Sequence, residues 1–243
     1  MTENEKTRYF RQIILPDFGE SAQAKLKEST VLIAGAGGLG SPASIYLAAA
    51  GIGRLIICDR DSIELSNLNR QILHGTKDIG IPKTDSAKHR LSDLNPEILI
   101  ETFHINLDRE SLGSIIKEAD VIADCLDNFN TRMILNSYSL ETGIPVVHGG
   151  IDHWSGQVTF LNPPATPCMN CLFEEDQDSS DPKPVLGAVV GLIGTTQALE
   201  IIRYLSGIGN TLKNQLLYFD GLTMEWTRLE IKKNEDCKVC SSY

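Results

Sequence analysis

A glycine-rich turn between an apolar run and an alanine-rich segment constrains this chain more than any other feature. Gly35-Ala36-Gly37-Gly38-Leu39-Gly40 fits G-x-G-x-x-G, with TVLIAG before it (residues 30–35) and SPASIYLAAAGIG after it. That order predicts a buried strand, a tight turn and a helix. Glycines at 35, 37, 38 and 40 let backbone N–H groups approach phosphates, and the helix N-terminus adds partial positive charge. The next apolar run, RLIICD, ends on Asp59, 24 residues after Gly35. A carboxylate at that strand end can accept hydrogen bonds from both hydroxyls of a ribose. Together these segments form a βαβ unit, which implies a parallel sheet. The turn alone does not separate NAD from ATP.

Further strand-like runs are ILIETFH (98–104), DVIADCLD (120–127), PVVHGG (145–150) and GQVTFLN (156–162), with helix-like stretches at 84–94 and 131–141. QLLYFDG and EWTRLEIK flank a Gly-containing turn and read as an antiparallel hairpin. The expected class is therefore α/β: a Rossmann-like mixed sheet, parallel in the N-terminal part and antiparallel near the C-terminus. A length of 243 residues suits one domain spanning 1–243. Five of the ten prolines and five acids (Glu174, Glu175, Asp176, Asp178 and Asp181) fall between Pro163 and Pro184. This predicts a mobile, acidic, Pro-rich loop over 163–186. GAVVGLIGTTQALEIIRYL, which follows, reads as a buried helix or a subunit contact. Lys plus Arg number 22 against 32 Asp plus Glu, a formal charge of -10, which disfavours nucleic acid as a partner. No uncharged stretch reads as one membrane span and the first residues carry no apolar signal region, so a cytoplasmic location is expected.

The residues after Asp59 choose among nucleotides. DRDSIELSNLNRQ is polar where a dehydrogenase would enter its next helix. Arg70 offers a planar fork for phosphate oxygens, and Asn67 can hydrogen-bond them. Lys83, beside Pro82, stands at the expected start of a helix and can bring an ammonium to the same phosphates. Asp127 ends a strand at the carboxyl edge, where ligands of such sheets bind, and a carboxylate near a triphosphate suits Mg2+. Each residue singly reads as a surface charge. Their shared sheet edge is what gives them weight.

Six cysteines lie at 58, 125, 168, 171, 237 and 240. Cys168/Cys171 and Cys237/Cys240 are two Cys-x-x-Cys pairs separated by 65 residues, the pattern of a closed, structural, all-thiolate Zn2+ site. Cys58 and Cys125 sit in apolar runs and read as buried small hydrophobes.

Taken together, RYFRQ (8–12), GAGGLGSP, DRDSIELSNLNRQ, IGIPK, DCLDN, CMNC, CKVC and GLIGTTQALEIIRYLSG resemble the ThiF/MoeB/HesA family, bacterial and archaeal relatives of ubiquitin-activating enzymes. The resemblance covers nearly the whole chain. It implies ATP-dependent adenylation of the C-terminal glycine carboxylate of a small ubiquitin-like sulfur-carrier protein ending in Gly-Gly, of molybdopterin or thiamine type, with pyrophosphate released. It further implies that Gly38 and the turn lie under the nucleotide, Asp59 holds the ribose, and Ser66, Asn67, Leu68, Asn69 and Arg70 line the phosphates. Lys83 would balance their charge, and Asp127, beside Asn128, would hold Mg2+. Arg11 would reach the terminal phosphates of the opposite subunit, which makes the expected form a homodimer. Many relatives carry a cysteine shortly before the Gly-rich helix, where this chain reads DQDSSDPKPVLGAVVG. The expected product is therefore the acyl-adenylate, with sulfur delivered by another protein.

Two other readings stand beside this one. An NAD-dependent oxidoreductase explains the turn and Asp59, but leaves Arg11, Arg70, Lys83 and Asp127 without a task. A non-catalytic, nucleotide-dependent scaffold would bind ATP and show no pyrophosphate exchange.

Overall fold

The computed structural model describes residues 1–116, 118–173 and 184–241. Among the described residues eight strands form one sheet: β1 (Thr30–Ala34), β2 (Arg54–Asp59), β3 (Leu99–His104), β4 (Val121–Asp124), β5 (Val146–Asp152), β6 (Ser155–Leu161), β7 (Gln215–Asp220) and β8 (Glu225–Glu230). Their order is β3-β2-β1-β4-β5-β6-β7-β8. The first five positions are parallel, and β5 to β8 pair antiparallel. Each strand-like run of the sequence supplies one of these strands, and the sheet is mixed as expected.

Burial explains the order. Every residue of β1 and of β4 is buried, which suits central strands covered on both faces. Alternate β1 residues feed two cores: Val31 and Ile33 pack with Leu47 and Leu91 on one face, Leu32 and Ala34 with Leu112 and Leu135 on the other. Each such fully buried aliphatic side chain contributes roughly 1.5–3 kcal/mol of transfer free energy. At the far edge, β8 is exposed at every position.

The chain leaves β1 toward β2 and β3 and returns on β1's other side as β4. The carboxyl ends of β1 and β4 therefore flank a topological switch point, where ligands of such sheets bind. Helix Gly40–Ala50 starts at that edge and stops on Gly51, whose φ of 85° a side chain would disfavour. Helix Lys83–Leu94 begins at Lys83, and helix Phe129–Thr142 begins just after Asn128. Helix Gly187–Ser206 packs on β5, β6 and helix Gly40–Ala50. By length and composition it could cross a membrane, but Val190, Ile193, Ala198 and Ile201 bury its inner face in the protein.

The helices Glu3–Arg8, Phe10–Ile13, Gly19–Glu28, Arg109–Ile115 and Met169–Leu172 are not among those expected from the sequence, and of these Gly19–Glu28 buries Ala22 and Leu26 one turn apart. The first is set by reciprocal capping, Thr2 Oγ1 accepting from Glu5 N and the Glu5 carboxylate from Thr2 N. Within 163–186, the short helix Met169–Leu172 interrupts the expected loop. The five acids behind the expected mobility fall in 174–183, outside the described residues.

Candidate functional site

A cleft of about 630 Å³ opens at the carboxyl edge of β1, β2 and β4. The glycine turn, Asp59, Arg70, Lys83, Asp127 and Asn128 all border it. Gly35 has φ 99°, and a Cβ there would lie 2.8 Å from the Cys125 carbonyl oxygen. A Cβ on Gly40 would collide with the Gly35 carbonyl oxygen at 1.9 Å. These two glycines serve the packing of strand, turn and helix, and Gly35 borders the cleft together with Gly37 and Gly38.

Asp59 is held by the backbone around it. Its Oδ2 accepts from Ala36 N (2.7 Å) and its Oδ1 from Asp61 N (2.8 Å), and each oxygen keeps a further lone pair. His74, absent from the sequence reading, ties the turn to helix Lys83–Leu94. Its Nε2 lies 2.9 Å from the Ala36 oxygen and its Nδ1 2.9 Å from Ser86 Oγ. Burial pushes the imidazole pKa down, so the neutral ring with the proton on Nε2 donates to Ala36 and accepts from Ser86.

Lys83 points its ammonium at Asp61 Oδ2, 2.9 Å away. Its side chain is only 7% exposed against 52% for Asp61. A buried ammonium needs a paired anion, and Asp61 supplies one here. Arg70 is fixed through Nη1, which donates to the Ser66 oxygen and to Asn69 Oδ1, both at 3.0 Å. Asn67 Oδ1 accepts from Glu64 N at 3.0 Å and so caps the 3-10 turn Leu65–Asn67. Ser66, Asn67, Leu68 and Asn69 do not border the cleft; of that segment only Arg70 does. Asp127 is exposed, and Asn128 Oδ1 caps the following helix through Thr131 N at 2.9 Å.

Arg11 is not brought into this group. It is exposed on helix Phe10–Ile13, and its neighbour Gln12 donates to the Ala50 oxygen. Ala50 closes the helix that starts at the glycine turn, so about 15 Å of helix separates that contact from the turn.

Beneath the cleft, Asp124 of the DCLDN run meets two residues, Arg132 and His148, that no motif announced. Asp124, with no exposed surface, faces His148 Nδ1 at 2.7 Å and Arg132 Nε at 3.3 Å. Burial alone would raise the Asp124 pKa, but Arg132 and the His148 hydrogen bond hold it below the usual carboxylate range. Burial pushes His148 down, against the pull of Asp124, so the ring is neutral with its proton on Nδ1. Arg132 Nη2 donates to the carbonyls of Leu126 and Gly149.

The cysteines divide as the spacing predicts. Cys58 and Cys125 are buried, and burial pushes the Cys58 thiol up to about 12, far from a ready nucleophile. The sulfurs of Cys168, Cys171, Cys237 and Cys240 all lie within 4.8 Å of one another. Neighbouring pairs stand at 3.8, 3.7 and 3.5 Å. A tetrahedral ion with metal–sulfur bonds of about 2.3 Å requires sulfurs roughly 3.8 Å apart. Burial opposes ionisation of Cys237, yet the Cys240 and Val239 amides bring that thiol down to about 7.

With this geometry in view, a family comparison decides the relationship: the model of the ThiF family matches residues 9–239. The chain belongs to the ThiF family. It is 41% identical over 244 residues to the sulfur carrier protein ThiS adenylyltransferase of Escherichia coli, covering 99% of this chain and 97% of that protein. It is 37% identical to the sulfur carrier protein adenylyltransferase of Thermus thermophilus, covering 98% and 92%. The adenylyltransferase and sulfurtransferase MOCS3 of Xenopus laevis is 40% identical, but the chain spans only 55% of its length. Among solved structures, E. coli MccB with ATP superposes with a TM-score of 0.88 at 27% identity, covering 98% of this chain and 75% of that one.

Proposed function

We propose that the chain is an ATP-dependent adenylyltransferase that activates the C-terminal glycine carboxylate of a small ubiquitin-like sulfur-carrier protein. One observation carries this reading: the glycine turn, Asp59, Arg70, Lys83 and Asp127 converge on one cleft in a member of a family whose relatives bear that name. The glycine turn and Asp59 bind the adenosine end of ATP, and Arg70 and Lys83 balance the polyphosphate. Asn67 and its neighbours Ser66, Leu68 and Asn69 support Arg70 from outside the cleft. Asp127 would hold Mg2+, which supplies charge neutralisation on the phosphates. The attacking carboxylate is already ionised at neutral pH, so no general base is needed. Rate enhancement comes from alignment and from electrostatic stabilisation of the phosphates. The nicotinamide alternative has no task for Lys83 and Asp127 in this cleft.

The functional unit of this proposal is one adenylation domain over 1–243, acting in the cytoplasm as a homodimer. Phe10, Ile14 and Leu15 are each more than half exposed around Arg11, and Leu199 is so on helix Gly187–Ser206. A second copy covering such a patch would remove this apolar surface from water. With Cys58 and Cys125 buried and the other four thiols clustered, the reaction stops at the acyl-adenylate. The deciding assay is ATP–pyrophosphate exchange with carriers ending in Gly-Gly, followed by mass detection of the AMP adduct. Exchange that depends on the carrier supports the reading, and ATP binding without exchange overturns it.

The four clustered sulfurs fit Zn2+ held by Cys168, Cys171, Cys237 and Cys240, a closed set with no open coordination position. Such a metal clamps the C-terminal segment to the helix Met169–Leu172. Chelation is expected to lower the melting temperature by on the order of 10 °C. Metal analysis should give one zinc per chain, and equal melting of metal-free and metal-loaded protein would remove zinc from the account.

A further inference from the structure

A second cavity, of about 330 Å³, lies beside the nucleotide cleft. Arg132 and Ile151 border both, and Arg132 is the one arginine or lysine that the two have in common among the described residues. Its guanidinium is anchored on two sides: Nε faces Asp124, and Nη2 donates to two backbone carbonyls. Among the described residues Nη1 has no hydrogen-bond partner, and its two N–H groups remain unused. The second cavity is lined on one side by Gly150. A Cβ there would come within 3.1 Å of Gln157 Nε2 and 3.3 Å of His148 Nε2. A side chain there would crowd these two groups, so the cavity wall is bare backbone at this point.

We propose that Arg132 receives the terminal carboxylate of the acyl substrate, so that a peptide end entering through the second cavity meets the α-phosphate at the cavities' junction. This rests on the adenylation reading above and names the cation that reads the substrate's end. A carboxylate must otherwise approach a polyphosphate of the same sign. A fixed guanidinium at the junction offsets that repulsion and aligns one oxygen for attack. In the step itself, that oxygen bonds to the α-phosphorus while the bond from this phosphorus to the bridging oxygen of the β-phosphate breaks. Pyrophosphate leaves with the electron pair, and no proton need move. Asp124 takes the Nε edge of Arg132 and His148 takes Asp124, so the arginine is held in place with Nη1 left over.

The test compares binding of a Gly-Gly carrier that supports exchange with the same carrier ending in a carboxamide, each in the presence of a non-hydrolysable ATP analogue. Wild-type protein is expected to bind the amide about 10- to 100-fold more weakly, the loss of a charge-assisted contact. Arg132→Gln, verified as folded by circular dichroism, should bind acid and amide alike, and as weakly as wild type binds the amide. Arg132→Lys, which keeps a charge, should retain part of the preference. A wild-type protein indifferent to the terminal charge overturns the proposal without any variant. So does an Arg132→Gln protein that still prefers the acid by the wild-type factor. Absence of carrier-dependent exchange in wild type would instead remove the adenylation reading.

Discussion

Asp127→Ala is expected to reduce carrier-dependent ATP–pyrophosphate exchange by about 10³-fold or more while leaving the fold and its melting temperature nearly unchanged. The two halves of this expectation have separate causes. Asp127 is exposed at the mouth of the cleft, and among the described residues it makes no ion pair, so its removal leaves no buried charge unpaired. The following helix keeps its cap, because that cap belongs to Asn128. Its contribution arises only when phosphates and Mg2+ are present, and that is the condition under which its loss is felt. Asp124, three residues earlier, provides the internal contrast. It is fully buried against Arg132 and His148, so Asp124→Asn should destabilise by about 3–5 kcal/mol by leaving Arg132's buried charge unpaired. Measuring exchange, circular dichroism and thermal unfolding on both variants separates chemistry from stability. Retained exchange in a folded Asp127→Ala protein removes Asp127 from the mechanism.

What could be read from the residues differs between fold and site for a physical reason. The strands were legible because each is an apolar run bounded by turn residues, and β1 and β4 are buried along their whole length. The helices before β1 were not, since their order comes from capping and from packing of single side chains, such as Tyr9 against Asn95. At the candidate site, Asp127, expected to end its strand, lies instead in the connection after β4, which stops at Asp124. Asp59 and Lys83 were legible because each sits at an element's end beside a recognisable run. Their partners were not. Asp61 holds Lys83 only because Lys83 N also bonds to the Asp61 carbonyl, which sets the two segments side by side. Asp124 and His148 are cross-strand neighbours in the register of β4 and β5, 24 residues apart in the chain. No spacing rule joins them, because strand adjacency is decided by the whole sheet. Asn67 shows the converse: the residue type suited a phosphate, but its carbonyl is used within its own turn. For the cysteines, the spacing singled out four candidate ligands, and only the fold shows their sulfurs at separations that suit a tetrahedral ion.

Arg11→Ala and Asp127→Ala, each nearly inactive alone, are expected to recover activity when mixed. Arg11 lies toward the far end of helix Gly40–Ala50 from its own glycine turn, at the Gln12–Ala50 contact. Arg11 does not border the cleft of its own subunit, which lies about 15 Å of helix from the Gln12–Ala50 contact. It is surrounded by exposed Phe10, Ile14 and Leu15, an apolar setting that delivers an arginine to another surface better than to water. In a two-fold dimer each site then takes Asp127 from one chain and Arg11 from the other. Random exchange makes about half of the dimers mixed, and each mixed dimer has one site with both residues intact and one with neither. Recovery should approach about a quarter of the wild-type rate. If both residues acted within one chain, no mixed dimer would contain an intact site and mixing would restore nothing. Exchange assays on the mixture, with the heterodimer verified by two affinity tags, therefore distinguish a shared site from a self-contained one. Inactivity of verified heterodimers would confine Arg11 to a role within its own subunit and remove the composite geometry.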